Sequence, residues 1–177
     1  MSALHRLRRS VAGQAGYSML ELLMVLAILG TVIGALTTLF VQATNAEFEM
    51  NRRFQAQQSA RVAVDKMRRE IHCASAITPT GPTNSISVTL PSQCPTSGGA
   101  LTTVTYDTAG SATRFQLRRN GVNLADYVTL SNAFDYTAPV PGTSLGKLKV
   151  TLPINTRPGN GKEWRLVADM VLRNTTR

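Results

Sequence analysis

Apolar residues are unevenly placed along this chain. Leu22 to Val41 is a run of twenty residues without a single charge, the length a helix needs to cross the hydrocarbon of a bilayer. Beyond it, Met1 to Thr78 contains no proline. Good helix formers dominate that continuation: Ala46, Glu47, Gln55, Ala56, Gln57, Ala60, Ala63, Lys66 and Met67. Val64, Met67, Ile71 and Ala74 recur at three- and four-residue steps and mark one apolar helix face. The pattern predicts a single helix from residue 17 to about 77. Gly30 and Gly34 are its weak points, and Pro79, Gly81 and Pro82 stop it.

After residue 80 the period changes from helical to alternating. Ile86, Val88 and Leu90 alternate with polar residues. Residues 101–106 are rich in Thr, Val and Tyr, and Phe115 and Leu117 alternate with Arg114, Gln116 and Arg118. Asn120-Gly121 is a two-residue hairpin signal. Leu148, Val150 and Leu152 alternate again, and Trp164, Leu166, Ala168, Met170 and Leu172 share one face of a last strand. Residues 137–146 and 155–161 read as loops. The fold class is α+β: a long N-terminal helix packed on an antiparallel sheet with one face buried. The stripe at residues 64–74 is the expected partner of that face. In domain terms, 1–16 is a basic leader, 17–41 an apolar helix, 42–78 its amphipathic continuation and 79–177 a β-sheet domain.

The formal charge is +9. Arg6, Arg8 and Arg9 face no acid within residues 1–16, so loss of that stretch takes away three charges and leaves +6. Such a balance suits anionic lipid, nucleic acid or acidic polysaccharide. No long basic run lies outside the leader, so DNA as a partner has no support beyond the charge. Arg52-Arg53 and Arg68-Arg69 read as solvated helix faces. Cys73 and Cys94 belong to no CxxC motif and no His/Cys cluster, which points away from a metal site. If the chain beyond Val41 lies outside the cytoplasm, a disulfide between them is permitted and is the expected state; two separate buried thiols are the alternative. His5 and His72 stand alone, no nucleophile–base pair stands out, and no phosphate loop is present. Nothing here reads as an enzyme or calls for a cofactor.

One stretch carries more chemistry than an anchor needs. Ala15-Gly16-Tyr17-Ser18-Met19-Leu20-Glu21 opens the apolar run. A secretory signal peptide places its small-residue cut after a shorter apolar core; here the small pair comes before a longer one. Glu21 puts a carboxylate at the start of an apolar segment, where a central acid costs about 2.5–3.5 kcal/mol and one near the interface less. No Lys or Arg lies between Arg9 and Arg52. Cleavage after Gly16 would supply the missing cation, the new α-amine of Tyr17.

Gly16, Tyr17 and Glu21, in this order before an apolar helix, resemble the class III leader of type IV pilins, pseudopilins and related prepilins. Tyr17 in place of the commoner Phe, and Met19, are mild departures. The resemblance implies a pilin fold, cutting between Gly16 and Tyr17 by a prepilin peptidase, N-methylation of Tyr17 by the same enzyme, and Glu21 as the acid that guides assembly. It also implies other pilin subunits, an inner-membrane assembly platform and, before assembly, the lipid bilayer as partners. The stretches 58–61, 68–71, 115–121 and 171–174 are similar to PilW-type minor pilins and J-type pseudopilins, which implies a low-copy subunit. The expected location is the inner membrane, single-pass, with the C-terminal domain outside the cytoplasm, and then the cell surface. A pseudopilin of a secretion system would share every one of these features. A single-pass anchored binding protein would share all but the processing.

Overall fold

The computed structural model describes residues 17–157, 159 and 162–173. The leader expected at residues 1–16, with its Gly16, lies outside them. The chain divides into two compact units, one ending at Glu47 and one running from Phe48.

Within the first unit every described residue is helical from Met19 onward, the start of α1 (Met19–Cys73). The helix passes through Gly30 and Gly34 without a break. Ser18 caps it: its carbonyl accepts from Leu22 N–H at 3.1 Å and its hydroxyl lies 3.4 Å from Leu20 N.

The second unit contains the rest of α1 and a nine-stranded antiparallel sheet. Its strands are β1 (Ala76–Thr78), β2 (Gly81–Thr83), β3 (Ser85–Leu90), β4 (Thr102–Ser111), β5 (Arg114–Arg119), β6 (Val122–Val128), β7 (Phe134–Thr137), β8 (Lys147–Ile154) and β9 (Trp164–Val171). Their spatial order is β1-β3-β4-β5-β6-β8-β7-β2, with β9 added along β8. The buried helix residues Ala56, Ala60, Ala63, Val64, Met67 and Ile71 join one hydrophobic cluster with Ile86, Val88, Tyr106, Leu117, Leu148, Val150, Leu152 and Met170. This is the α+β arrangement that the periodicity predicts, and it is of the pilin kind. Three of the six helix residues are alanines, which allow a helix to approach a sheet closely.

The helix ends four residues earlier than expected. It stops at Cys73, and Ala76–Thr78 pairs with Ser87–Thr89 of β3 instead of extending the helix. The absence of proline permits helix there but does not compel it. Ile77 gains a buried position by crossing onto the sheet. Cys73 and Cys94 form a disulfide with a Cα–Cα distance of 5.8 Å, which ties the helix end to the loop after β3.

The Asn120-Gly121 signal is a two-residue hairpin turn between β5 and β6. Both residues have positive φ, 49° and 79°, the left-handed pair that matches the twist of the flanking strands. Strands β1 and β2 have no clear apolar alternation, and β7 alternates only over Phe134, Asp135, Tyr136 and Thr137. All three are three or four residues long and are defined by their neighbours.

Two outcomes follow for stability. Ile71 is fully buried, so Ile71→Ala should cost about 2–5 kcal/mol; a shift below about 1 kcal/mol in urea unfolding would contradict the packing. The disulfide closes a loop across 21 residues. Replacing both cysteines with serine should therefore cost about 3 kcal/mol in the chain-entropy model, read as a lowered unfolding midpoint relative to the oxidised parent.

Candidate functional site

The expected site residues Tyr17 and Glu21 sit at the start of an exposed apolar helix. Tyr17 is 80% exposed and Glu21 is exposed in the first turn of α1. An 18-residue window of this helix has a mean hydropathy of 2.4 and none of it is buried. By length and composition it can cross a membrane. Leu22, Leu23, Met24, Val25, Leu26 and Ile28 each expose half or more of their surface. In water such a surface would cost roughly 25 cal/mol for every Å² left uncovered. A bilayer or neighbouring helices remove that cost.

The threonines within this segment are dressed for an apolar medium. Thr31 and Thr38 donate to the carbonyls of Ile28 and Ala35, three residues back, at 2.7 and 2.8 Å. Thr37 donates to Ile33 at 2.8 Å, and Thr44 reaches Phe40 and Val41. Each hydroxyl is thus satisfied inside its own helix, which an environment without water requires. Glu21 differs. Among the described residues its side chain makes no hydrogen bond and no ion pair. Its position in the first turn suits the positive end of the helix dipole, and Tyr17 is one turn away in sequence.

In the second unit, a charged cluster that sequence reasoning missed lies under the sheet. Glu70 of α1 is fully buried. Its Oε2 accepts from the Tyr106 hydroxyl of β4 at 2.6 Å and from Arg119 Nε of β5 at 3.2 Å. Arg119 Nη2 stands 2.9 Å from Oε1, close enough for an ion pair but without hydrogen-bond alignment, since Oε1 lacks a hydrogen-bond partner. Burial pushes the Tyr106 phenol well above its ordinary range, and its bond to the Glu70 carboxylate adds to the rise. For Arg119 burial pulls downward, but the Glu70 carboxylate outweighs it and the guanidinium is held more firmly protonated. A signal was available: Glu70 lies three residues after Met67 and four before Ala74, on the apolar stripe itself.

Other charges act as fasteners. Glu49 accepts from Arg53 at 2.8 Å and from the Thr156 hydroxyl at 3.0 Å, and stands 3.3 Å from Arg157. It thereby ties the loop after β8 to the helix. Arg68 pairs with Asp65, and Arg52 and Arg69 are exposed, as solvated faces should be. Arg114 holds Asp126 through two bonds, of 3.1 and 2.6 Å, and its guanidinium lies 4.2 Å from the Tyr127 ring centre. His72 meets the Val171 carbonyl at 2.8 Å, a structural role. Among the described residues no group of three or more His, Cys, Asp or Glu could hold a metal ion.

Comparison with family models, with curated proteins and with solved structures finds no match to this chain.

Removing Glu70 should be costly and removing its partners less so. Glu70→Ala leaves Arg119 and the Tyr106 hydroxyl facing a void and should lose about 3–5 kcal/mol. Tyr106→Phe forfeits a hydrogen bond to a charged group and should lose about 1.5–3 kcal/mol. Denaturant unfolding of the two variants ranks them; equal losses would contradict a carboxylate at the centre.

Asp126 gives a pH test. The Arg114 bonds lower its carboxyl below the ordinary 3.8, against the opposing pull of burial, with a backbone bond from Tyr127 helping. At acid pH the unfolded chain therefore binds a proton that the folded chain refuses. The contribution of Asp126 is complete above 3.8 and fades as pH falls through its lower folded value. Asp126→Asn should be less stable than the parent at pH 7, with the gap narrowing toward pH 2. A gap independent of pH would exclude this origin.

Proposed function

We propose that this chain is the precursor of a type IV pilin-like subunit, cut after Gly16 and polymerised through its N-terminal helix. The observation that carries the proposal is the order of chemistry at the start of the chain. A basic head, Gly16, Tyr17 and Glu21 come in succession, and then an apolar helix whose surface is wholly uncovered and whose threonines are internally satisfied. A plain anchor requires the apolar run but has no use for an acid at its mouth. Glu21, unpaired among the described residues, acquires a cation once the Tyr17 amine is released, either across its own first turn or on a staggered neighbour. Pairing between neighbours sets the axial register of a filament.

The compact second unit, with its disulfide, suits an oxidising space outside the cytoplasm. The positive-inside tendency leaves Arg6, Arg8 and Arg9 on the cytoplasmic side, where the peptidase would act. The resemblance of the stretches around residues 58–71 and 115–121 to minor pilins supports a low-copy place in the fibre.

Two measurements test this. The mature chain should begin, by mass spectrometry, at a methylated Tyr17, and Gly16→Val should block the cut because a branched side chain crowds the scissile backbone. A mature chain that keeps Met1 would leave an anchored binding protein instead. Glu21→Val should preserve or improve membrane insertion, since it removes a costly charge, yet reduce the amount of this subunit recovered in sheared filaments. Undiminished recovery would count against the pairing.

A further inference from the structure

Strand β9 presents an open hydrogen-bonding edge. It pairs with β8 from Lys147↔Val171 to Ile154↔Trp164 and with no other strand among the described residues. Two bonds at its end fix which groups point where. Leu172 N–H donates to Gly146 O on the β8 side at 2.9 Å, whereas the Val171 carbonyl turns the other way and meets His72 Nδ1 at 2.8 Å. Backbone direction alternates along a strand. Trp164, Leu166, Ala168 and Met170 therefore bond β8, and Arg165, Val167 and Asp169 aim their N–H and C=O groups away from it. None of those six groups has a backbone partner among the described residues.

Edges of this kind are usually blunted by brevity, proline or a bulge. The other two ends of the sheet follow that rule: β1 and β2 have three residues each, and β2 contains Pro82. Strand β9 has eight residues, no proline and an unbroken register. At the centre of its solvent face is Val167, 49% exposed. Arg165 and Asp169 flank it. Their present partners, Glu163 at 3.5 Å and Lys147 at 2.8 Å, form exposed ion pairs, which are weak and easily exchanged.

We propose that the β9 edge docks an extended segment of another polypeptide, added antiparallel, with an acidic residue opposite Arg165, an apolar one opposite Val167 and a basic one opposite Asp169. Main-chain bonds to an open edge supply affinity, and the alternate side chains supply selectivity. Read along its own direction, the incoming strand is basic, apolar, acidic at alternate positions, the order that β9 itself has. A second copy therefore matches the chemistry. Antiparallel addition of a copy, however, turns about a twofold axis normal to the sheet and reverses the helix packed on it. Subunits held in one membrane share one direction, so, resting on the filament reading, the occupant is a segment of a different chain.

The probe is the peptide Trp-Arg-Leu-Val-Ala-Asp-Met-Val, which carries the required order, added to the full chain in detergent micelles. The control peptide has the Arg and Asp exchanged, which sets like charges opposite each other in the same register. The first peptide should slow hydrogen exchange of the Arg165, Val167 and Asp169 amides about tenfold or more, the factor equivalent to about 1.4 kcal/mol. The control should not. Val167→Pro should abolish the protection while keeping the β8–β9 ladder, because an edge strand tolerates proline where its N–H faces outward. Equal protection by both peptides, or none by either, overturns the proposal. So does protection without peptide that grows with protein concentration, which would assign the edge to a second copy. None of these readouts depends on cleavage after Gly16, so this proposal and the pilin reading fail separately.

Discussion

A carboxylate with no access to solvent lies between the helix and the sheet, and the arrangement of the second unit follows from satisfying it. An isolated buried charge costs several kcal/mol even after relaxation. Glu70 escapes that cost only where Tyr106 of β4 and Arg119 of β5 can both reach it. The helix therefore has one rotation and one height against those two adjacent strands. Apolar contacts alone would allow more, because alanines and aliphatic side chains repack with small penalties. The disulfide from Cys73 and the His72 bond to Val171 then hold the helix end just beyond this point.

The rest of the same helix meets the opposite demand. From Met19 to Ala43 every residue is exposed, and no charge follows Glu21 until Glu47. From Leu22 to Val41 its polar side chains are Thr31, Thr37 and Thr38, which bond their own backbone. A single helix thus carries two surface patterns. In one part the apolar residues run all the way round, and in the other they occupy one face with Glu49 and Glu70 tied to sheet and loop residues. The change occurs where the acids and arginines begin, at Glu47 to Arg53.

Much of this was legible because hydrophobic period reports secondary structure directly. The strands at 85–90, 114–119, 147–154 and 164–171 each alternate, and the helix stripe at 64–74 found the sheet face that it was expected to find. The expected pairing of Cys73 with Cys94 is present; it rested on export of the chain beyond Val41, since spacing alone also allows two cysteines to be buried apart. The helix end was misjudged by four residues because local propensity is silent about whether Ile77 gains more from a helix turn or from an edge of the sheet.

By itself, then, the sequence determined the apolar span, the acid at its mouth, the α+β order and the Asn120-Gly121 turn. All of these rest on near-neighbour chemistry: length against a bilayer, charge against an apolar run, φ at one residue. Only the tertiary structure decided that Glu70 is a buried ligand of Tyr106 and Arg119 rather than one more helix former. Only it decided the strand order, and with it that one edge of β9 has no strand partner among the described residues. These depend on residues 36 to 49 positions apart meeting across the core. No periodicity within one element encodes such meetings, because the partner's position is set by how every intervening strand packs.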